Sequence, residues 1–358
     1  MSERRKTIDS ARLSSTRTAE DLFDALLASF PERSGVITRA RFGITDGTEK
    51  TLEEIGKTHG ITRERVRQIV DVIMRRIREI MAHEADHALV NRVIERVRQR
   101  GGIMTIDAVL ADLGNGSVSE EKALLALLSA FPGCRMSKAN TRHKAIIMTD
   151  DFSLQEWEAF VVLVVGILKE AAETQSLDDL YARYIKKSGA TDMTKEMFES
   201  LLVPAVEIEK NVFGRYGLVH WSTIRPRGTR ERAHLILQVM KQPLHFREIA
   251  RLIDEHGLYK TGKKTHPQTV HNELIKDERF VLVGRGTYAL SDWGFRPGTV
   301  REVLSSILQE NVNPMTREEL LKAVMKVRQV KRSTVIINLN SFFTKVGKNI
   351  YSLSDKRK

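Results

Sequence analysis

Side chains suited to reading DNA bases recur along one side of a predicted helix over residues 63–78. Wound at about 100° per residue, this segment separates into two arcs. The apolar arc comprises Val66, Ile69, Val70, Ile73 and Ile77. The opposite arc comprises Arg63, Glu64, Arg67, Gln68, Arg75 and Arg78, with Arg65 at its flank. The major groove selects these groups: arginine for guanine edges, glutamine for adenine and glutamate for the cytosine amine.

The residues just upstream are those needed to hold such a helix against a partner. Thr51 followed by Glu54 predicts a capping box at the start of a first helix, and Gly60 suits the left-handed residue that ends it. Thr62 is placed to cap the second helix. This order is typical of a helix-turn-helix motif. The alternative is an ordinary amphipathic helix with a solvated charged side, which the capped partner helix and the glycine turn disfavour.

Residues 39–78, RARFGITDGTEKTLEEIGKTHGITRERVRQIVDVIMRRIR, resemble region four of the primary sigma factors of bacterial RNA polymerase, with the whole resemblance covering about residues 33–78. That module reads the upstream promoter element. RFGI, TLEEIG and TRERVRQI match in order and spacing. The resemblance implies that Arg63, Glu64 and Gln68 approach base edges. It also implies phosphate contacts from a second group, Arg41, Thr51, Thr62, Arg65 and Arg67.

The chain departs from the family pattern at a few positions. Ser34-Gly35 stands where the family usually has Glu-Ala, Thr38 replaces an apolar residue and Val70 replaces an acidic one. These changes leave the base-reading side unaltered. Nothing resembles the sigma regions that melt DNA or read the downstream promoter element. We therefore do not expect a complete sigma factor.

The composition favours a polyanionic partner. Lysine and arginine number 58 against 46 acidic residues, a formal net charge of +12, and such a basic excess favours nucleic acid first. The single cysteine, Cys134, excludes an internal disulfide and fits a reducing cytosol. Residues 1–18 are predicted as a disordered basic tail without a secretory signal, and the longest apolar run, 159–168, is too short for a membrane span. We expect a cytoplasmic, nucleoid-associated protein.

The C-terminal part of the chain contains a repeat. VGRGTYALSD at 283–292 matches VGKNIYSLSD at 346–355, and GRYGLVHW at 214–221 matches GTYALSDW at 286–293. Each copy follows the same order of predicted elements, three helices and then two short strands around a glycine-bearing turn. Repetition of this kind indicates repeated structural units. The expected fold class is mainly α, a helix-turn-helix followed by tandem winged-helix units of three helices plus a short β-ribbon each.

The predicted domain boundaries follow this order. After the tail, residues 19–82 contain the sigma-region-four-like helix-turn-helix. The remaining units are a possible winged helix at 83–151 and winged helices at 152–224, 225–295 and 296–358. The unit at 83–151 is the least regular of these, and the alternative interpretation is a set of helices unrelated to the repeat.

Residues 229–295 carry a second resemblance, to the HARE-HTH family. This winged-helix domain occurs in the delta subunit of bacterial RNA polymerase, in Asx-like chromatin proteins and fused to some restriction endonucleases. The matching features include the helix Phe246–Ile253, Gly257-Leu258, Thr265-x-Pro267 and the strand Gly286–Leu290. The family is associated with DNA-linked processes without one agreed contact surface, so the resemblance implies a fold more than a binding site.

Polar and basic residues gather at the predicted third helices and wings of the last two units. They form a possible secondary DNA surface: Lys263, Lys264, Gln268, His271, Arg285, Lys331, Arg332 and Lys348. A phosphate-contacting surface and the solvated face of a protein-binding module are both compatible with this pattern, and its repetition favours DNA. The earlier third helices begin with Ser119-Glu120-Glu121 and Thr194-Lys195-Glu196, which is more typical of spacers or protein-binding surfaces.

The sequence His83-Glu84-Ala85-Asp86-His87 satisfies the H-E-x-x-H pattern of zinc peptidases. Asp86 is charged where such helices are usually apolar, and no third ligand stands out at a recognised spacing. We therefore predict no metal site. No glycine-rich phosphate loop, Ser/His/Asp set or paired-carboxylate nuclease cluster is evident, and we expect neither a cofactor nor catalysis.

The sequence as a whole favours a non-enzymatic, sequence-specific transcription regulator that binds double-stranded DNA. The sigma resemblance implies bacterial RNA polymerase as a further partner. Two alternatives remain: an accessory subunit or adaptor of RNA polymerase whose winged helices bind protein, and the DNA-recognition component of a restriction or defence system.

Overall fold

The computed structural model describes residues 18–83, 88–112, 116–259, 264–311, 313–328 and 330–353. The predicted basic tail lies outside these residues, except for Thr18. The chain divides into two compact units. The first runs to Glu209 and also holds Tyr216–Val219, and the second holds Lys210–Arg215 and the residues from His220 onward.

The helix-turn-helix occupies the start of the first compact unit. Its helices are α1 (Ala19–Leu27), α2 (Glu32–Phe42), α3 (Leu52–His59) and α4 (Arg63–His83). Helix α1 ends before Phe30, which precedes Pro31, and a residue before proline avoids the helical conformation. The next helix begins at Ala88, and the residues that would join it to α4 lie outside the described ranges.

Residues 88–149 follow with three helices and a three-stranded antiparallel sheet. The elements are α5 (Ala88–Gln99), β1 (Ile103–Thr105), α6 (Ile106–Asp112), α7 (Val118–Ala130), β2 (Cys134–Ser137) and β3 (Ile146–Thr149). Strand β3 lies between β1 and β2. This is the layout of a winged helix, with α7 as its third helix, and we call it the first winged unit.

The second winged unit repeats that order with a smaller sheet. Its elements are α8 (Leu154–Ala171), α9 (Leu177–Ser188), α10 (Lys195–Leu202), β4 (Ile208–Lys210) and β5 (Tyr216–Leu218). An isolated antiparallel bridge joins Gln175 to Tyr216. Gln175 stands just before the second helix, so this bridge takes the place that β1 has in the first winged unit.

The third and fourth winged units make up most of the second compact unit. The third comprises α11 (Thr229–Met240), β6 (Leu244–His245), α12 (Phe246–Glu255), α13 (Pro267–Ile275), β7 (Phe280–Gly284) and β8 (Thr287–Leu290). The fourth comprises α14 (Val300–Glu310), β9 (Met315–Thr316), α15 (Arg317–Val327), α16 (Arg332–Phe342), β10 (Thr344–Gly347) and β11 (Ile350–Ser352). In both sheets the last strand lies between the other two, as in the first winged unit.

Each of these two units has its own apolar core. Amphipathic helices supply it: Val303, Leu304, Ile307 and Leu308 of α14 are buried at helical spacing. The predicted fold class is therefore confirmed: the described chain is mainly α, a helix-turn-helix followed by tandem winged-helix units.

Candidate nucleic-acid interface

The turn between α3 and α4 is held by the predicted caps. The Thr51 Oγ1 accepts a hydrogen bond from the Glu54 amide at 3.2 Å, and the Glu54 carboxylate accepts from the Thr51 amide at 2.7 Å. Gly60 ends α3 with φ at 66°, where a side chain would be strained. The Thr62 Oγ1 accepts from the Arg65 amide at 3.2 Å and so begins α4. The capping prediction is confirmed.

Helices α3 and α4 approach each other closely at Gly56. A Cβ placed on this glycine would lie 2.7 Å from the carbonyl oxygen of Ile61. Beneath the turn, a small apolar core joins α2, α3 and the first half of α4 through Ile37, Ile55, Val66 and Val70. These buried contacts fix the orientation in which α4 presents its opposite side.

The predicted base-reading residues lie together on the exposed side of α4. Arg63, Glu64 and Gln68 are all exposed, and within the described chain the Arg63 guanidinium makes no hydrogen bond. A Glu64 oxygen accepts from Arg67 at 2.6 Å, and this hydrogen bond lowers the pKa of Glu64. The carboxylate is therefore ionised at neutral pH and able to accept a hydrogen bond from the amino group of a base. Gln68 accepts from Arg65 at 3.3 Å.

The predicted phosphate contacts divide into two kinds. Arg65 and Arg67 are exposed on α4 beside the base-reading residues, and Thr62 is exposed at its start. Arg41 instead is half-buried and donates to the Lys50 carbonyl at 2.8 Å. The Thr51 hydroxyl donates to Glu54 at 2.7 Å. Arg41 and Thr51 thus already use these side chains to hold the loop and the cap that precede α4.

The second half of α4 is covered by the first winged unit. Ile73, Ile77, Ile80 and Met81 belong to one apolar core with residues of α1, α5 and α7. Arg78, which the helical projection assigns to the polar arc, donates to the carbonyls of Ser129 and Ala130 at the end of α7. The side available to a ligand is therefore the N-terminal half of α4.

Helix α7 joins the helix-turn-helix to the first winged unit. Its Glu120 carboxylate accepts from the backbone amides of Ala19 and Glu20 at 2.5 and 2.9 Å, at the free N-terminus of α1. Lys122 forms an ion pair with Glu49 at 2.9 Å. The buried side chains of α7 are Ala123, Leu124, Ala126, Leu127, Leu128 and Ala130. Sequence reasoning missed these contacts, although apolar residues around the whole circumference of a helix predict burial on several sides.

The third helix of the second winged unit is also used inside the chain. Met197 of α10 lies against Gly101, where an added Cβ would be 3.0 Å from its Cγ. The indole Nε1 of Trp157 donates to the Leu201 carbonyl at 2.9 Å. The loop between β2 and β3 reaches the same region, with a backbone bridge from His143 to Ala205. Both earlier third helices therefore face protein.

The possible secondary surface of the third winged unit is only partly assembled. Lys264, Gln268 and Arg285 are exposed, and Gln268 donates to Asn272 at 3.2 Å. The ring of His271 instead packs on Phe246 and accepts from or donates to the Tyr288 hydroxyl at 2.9 Å. His271 is thus engaged in packing under this surface rather than freely exposed on it. Lys263 lies outside the described residues.

In the fourth winged unit the corresponding residues are all exposed. Lys331 and Arg332 begin α16, and Lys348 lies at the turn between β10 and β11. Arg332 forms a two-point contact with the Glu318 carboxylate at 2.8 and 3.0 Å. The H-E-x-x-H pattern cannot be placed in the same way, because residues 84–87 lie outside the described ranges.

Comparison with protein-family models matches two separate segments of this arrangement. Residues 26–79 match the model of sigma-70 region 4. Residues 229–293 match the model of the HARE-HTH domain, a helix-turn-helix domain whose description includes restriction endonucleases. Both predicted resemblances are confirmed. The matched models describe helix-turn-helix domains of DNA-binding type rather than catalytic domains.

Curated proteins similar to this chain include sigma factors, which match it over a short segment. The RNA polymerase principal sigma factor HrdD of Streptomyces griseus is 44% identical over 61 residues, which is 17% of this chain and 18% of that protein. The RNA polymerase sigma factor SigA of a Bacillus species is 48% identical over 59 residues, 16% of this chain and 15% of that protein. The chain therefore spans less than a fifth of the length of either relative. Separately, no helix in the described ranges is long and apolar enough to cross a bilayer.

Proposed function

We propose that this protein is a sequence-specific, double-stranded-DNA-binding transcription regulator. Arg63, Glu64 and Gln68 read base edges in the major groove, while Arg65 and Arg67 bind the phosphates beside them. The observation that carries the proposal is the exposed N-terminal half of α4. It follows a capped turn, its apolar side packs in a small core and its polar side chains are exposed.

The mutual contacts on this side of α4 support the proposal. Glu64, Arg67 and Asp71 form a chain of exposed ion pairs at 2.6 Å. Exposed pairs of this kind contribute little to the stability of a helix, because water screens them. DNA can therefore replace them at small cost, and until it does they hold the side chains extended along one side of the helix.

The domain boundaries form part of the proposal. We place the base-reading helix-turn-helix at residues 19–82 and the winged units at 83–151, 152–224, 225–295 and 296–358. The first winged unit supports and orients α4, because its third helix packs in one core with that helix. The third helix of the second winged unit in turn packs on Gly101 of the first. The third and fourth units carry the secondary surface of Lys264, Gln268, Arg285, Lys331, Arg332 and Lys348.

Selection of bound sequences from random duplex DNA with the full-length protein tests the proposal. A regulator enriches one motif, and Arg63→Ala should relax it at a single position, a change of about 1–3 kcal/mol. Arg76→Ala is the matched control, since Arg76 is an exposed arginine of the same helix that pairs with Glu79 away from the base-reading residues. Enrichment of no motif, or equal effects of the two variants, would refute the proposal.

RNA polymerase is the second partner that we propose, because the matched relatives are polymerase sigma factors. The apolar sides of α1 and of the second half of α4 already pack in one core with α7. Contact with a polymerase subunit must therefore use exposed polar surface, or displace α7 from its core. Co-purification of polymerase with the full-length protein, together with failure to enrich a DNA motif, would favour an adaptor.

The alternative of a DNA-recognition component in a restriction or defence system has one specific support. The matched model of residues 229–293 is named in part for restriction endonucleases. A nuclease that forms a complex with the purified protein and cleaves only DNA carrying the selected motif would favour that alternative. A motif that alters transcription from an adjacent promoter, without cleavage, would favour the regulator.

A further inference from the structure

The four winged units use their third helices in two different ways. In the first two units α7 and α10 are packed against neighbouring parts of the chain. In the last two units α13 and α16 expose large aliphatic side chains, with Ile275 64% exposed and Ile337 63% exposed. A single exposed isoleucine is ordinary on a protein surface, so the side chains and charges around it decide whether the helix carries a binding site.

The exposed side of α16 has the chemistry of a base-reading surface. Val335 and Leu339 face the core, so Ile337 projects from the opposite side. Small uncharged side chains surround it at helical spacing, and they are Ser333, Thr334, Asn340 and Ser341. Hydroxyl groups accept from or donate to any base, and an aliphatic group contacts the thymine methyl. The Asn340 Oδ1 accepts from Tyr351 at 2.8 Å, which orients this amide.

The charge around this helix complements a polyanion. From Lys331 to Leu353 the sequence holds four lysines and arginines and no carboxylate. Arg332 is paired with Glu318, whereas Lys331, Lys345 and Lys348 are exposed and have no carboxylate partner among the described residues. A protein ligand would require acidic groups to match these cations, whereas duplex DNA provides a phosphate about every 1.7 Å of helix axis.

Cations precede and follow α16 along the chain. Lys331 precedes its first turn, and Lys348 lies at the tip of β10–β11, where Asn349 has a φ of 64°. The 11 residues of α16 span about 16 Å. The major groove is about 12 Å wide and admits an α-helix, so α16 can enter it while the lysines before and after the helix contact phosphates.

The geometry points to a second base-reading site on the fourth winged unit, which neither matched family model covers. Helix α16 enters the major groove with Ile337 against a thymine methyl, and Lys331 and Lys348 bind the flanking phosphates. This inference rests on the proposed DNA-binding function. Its consequence is a target with two separate elements, one read by α4 and the other, containing an A·T pair, read by α16.

The test is selection from long random duplexes with the full-length protein, followed by footprinting on the selected DNA. We expect two protected elements. Ile337→Glu should remove one of them and weaken binding to the composite target roughly 5- to 100-fold, whereas Arg63→Ala should relax the other. Met325→Glu is the matched control, since it adds the same charge at an exposed apolar residue of α15, and it should leave both elements intact.

A second variant keeps the test informative if Ile337→Glu disturbs folding. Lys331→Ala with Lys348→Ala should leave the circular dichroism and thermal transition unchanged. It should also reduce the slope of log affinity against log salt by about 1.8. A single enriched element that Ile337→Glu leaves intact would overturn the inference. If Arg63→Ala still relaxed that element, the proposed function would stand without the second base-reading site. If the wild-type protein enriched no element, both proposals would be refuted.

Discussion

Replacing Leu127 of α7 by alanine tests whether the helix-turn-helix and the first winged unit share one core. Leu127 is fully buried, in a cluster that includes Phe23 of α1 and Ile77 of α4. Removing three buried carbon atoms costs about 2.4 kcal/mol in transfer free energy. The cavity adds to this, because helices on both sides of α7 limit its collapse. We expect a loss of about 3–4 kcal/mol.

Hydrogen exchange followed by mass spectrometry locates that loss in the full-length protein. In a shared core, Leu127→Ala should accelerate exchange about 100-fold or more in α1 and the second half of α4, as well as in α7. Leu320→Ala, a fully buried leucine in the core of the fourth winged unit, should accelerate exchange only within that unit. Acceleration confined to α7, with α1 unchanged, would refute the shared core.

Two further substitutions test local features of the fold. Gly56→Ala should destabilise the helix-turn-helix by about 1–3 kcal/mol, because its Cβ would clash with the Ile61 carbonyl. Gly166→Ala, in open space within α8, should stabilise by about 0.5–1 kcal/mol, and chemical unfolding of both variants gives the comparison. Arg279 lowers the pKa of Asp277 to about 2, so this carboxylate contributes stability above about pH 4 that is lost as the pH falls through 2. Between pH 4 and pH 2 the free energy of unfolding of Asp277→Asn should therefore fall by about 1–2 kcal/mol less than that of the wild type. Equal decreases in the two proteins would contradict the assignment.

Local features of the structure were predictable from the sequence, because the residues responsible lie within one helical turn of each other. Thr51 and Glu54 cap α3 through contacts three residues apart, and Gly60 ends it through its own backbone conformation. The apolar residues of α4 share one side because a helix repeats about every 3.6 residues, and that side packs in the core. The repeated order of elements similarly anticipated the three helices and hairpin of the last two winged units.

Contacts between distant segments were not predictable in this way. Glu120 binds amides about one hundred residues earlier in the chain, and no local pattern encodes that pairing. The position of His271 on an exposed helix predicted a surface role, whereas packing on Phe246 engages its ring. The sigma resemblance implied a phosphate contact for Arg41, whereas in the structure its guanidinium donates to the Lys50 carbonyl.

The third helices of the four winged units differ in what they contact. Helix α7 packs in one core with α1, α5 and the second half of α4, while the polar side of the first half of α4 is exposed. The third helices of the last two units expose polar residues together with Ile275 or Ile337. The same order of elements thus provides packing in the first two winged units and, as we propose, DNA recognition in the last two.

The central claim is that Arg63 on the exposed half of α4 reads a guanine. Its most direct test replaces each guanine of the selected target in turn by 7-deazaguanine, which lacks the N7 acceptor. The affinities of the wild-type protein and Arg63→Ala are then measured for every duplex. At one guanine, the replacement should weaken the wild type by about 1–3 kcal/mol and leave Arg63→Ala nearly unaffected. Additive effects at every guanine would contradict the claim.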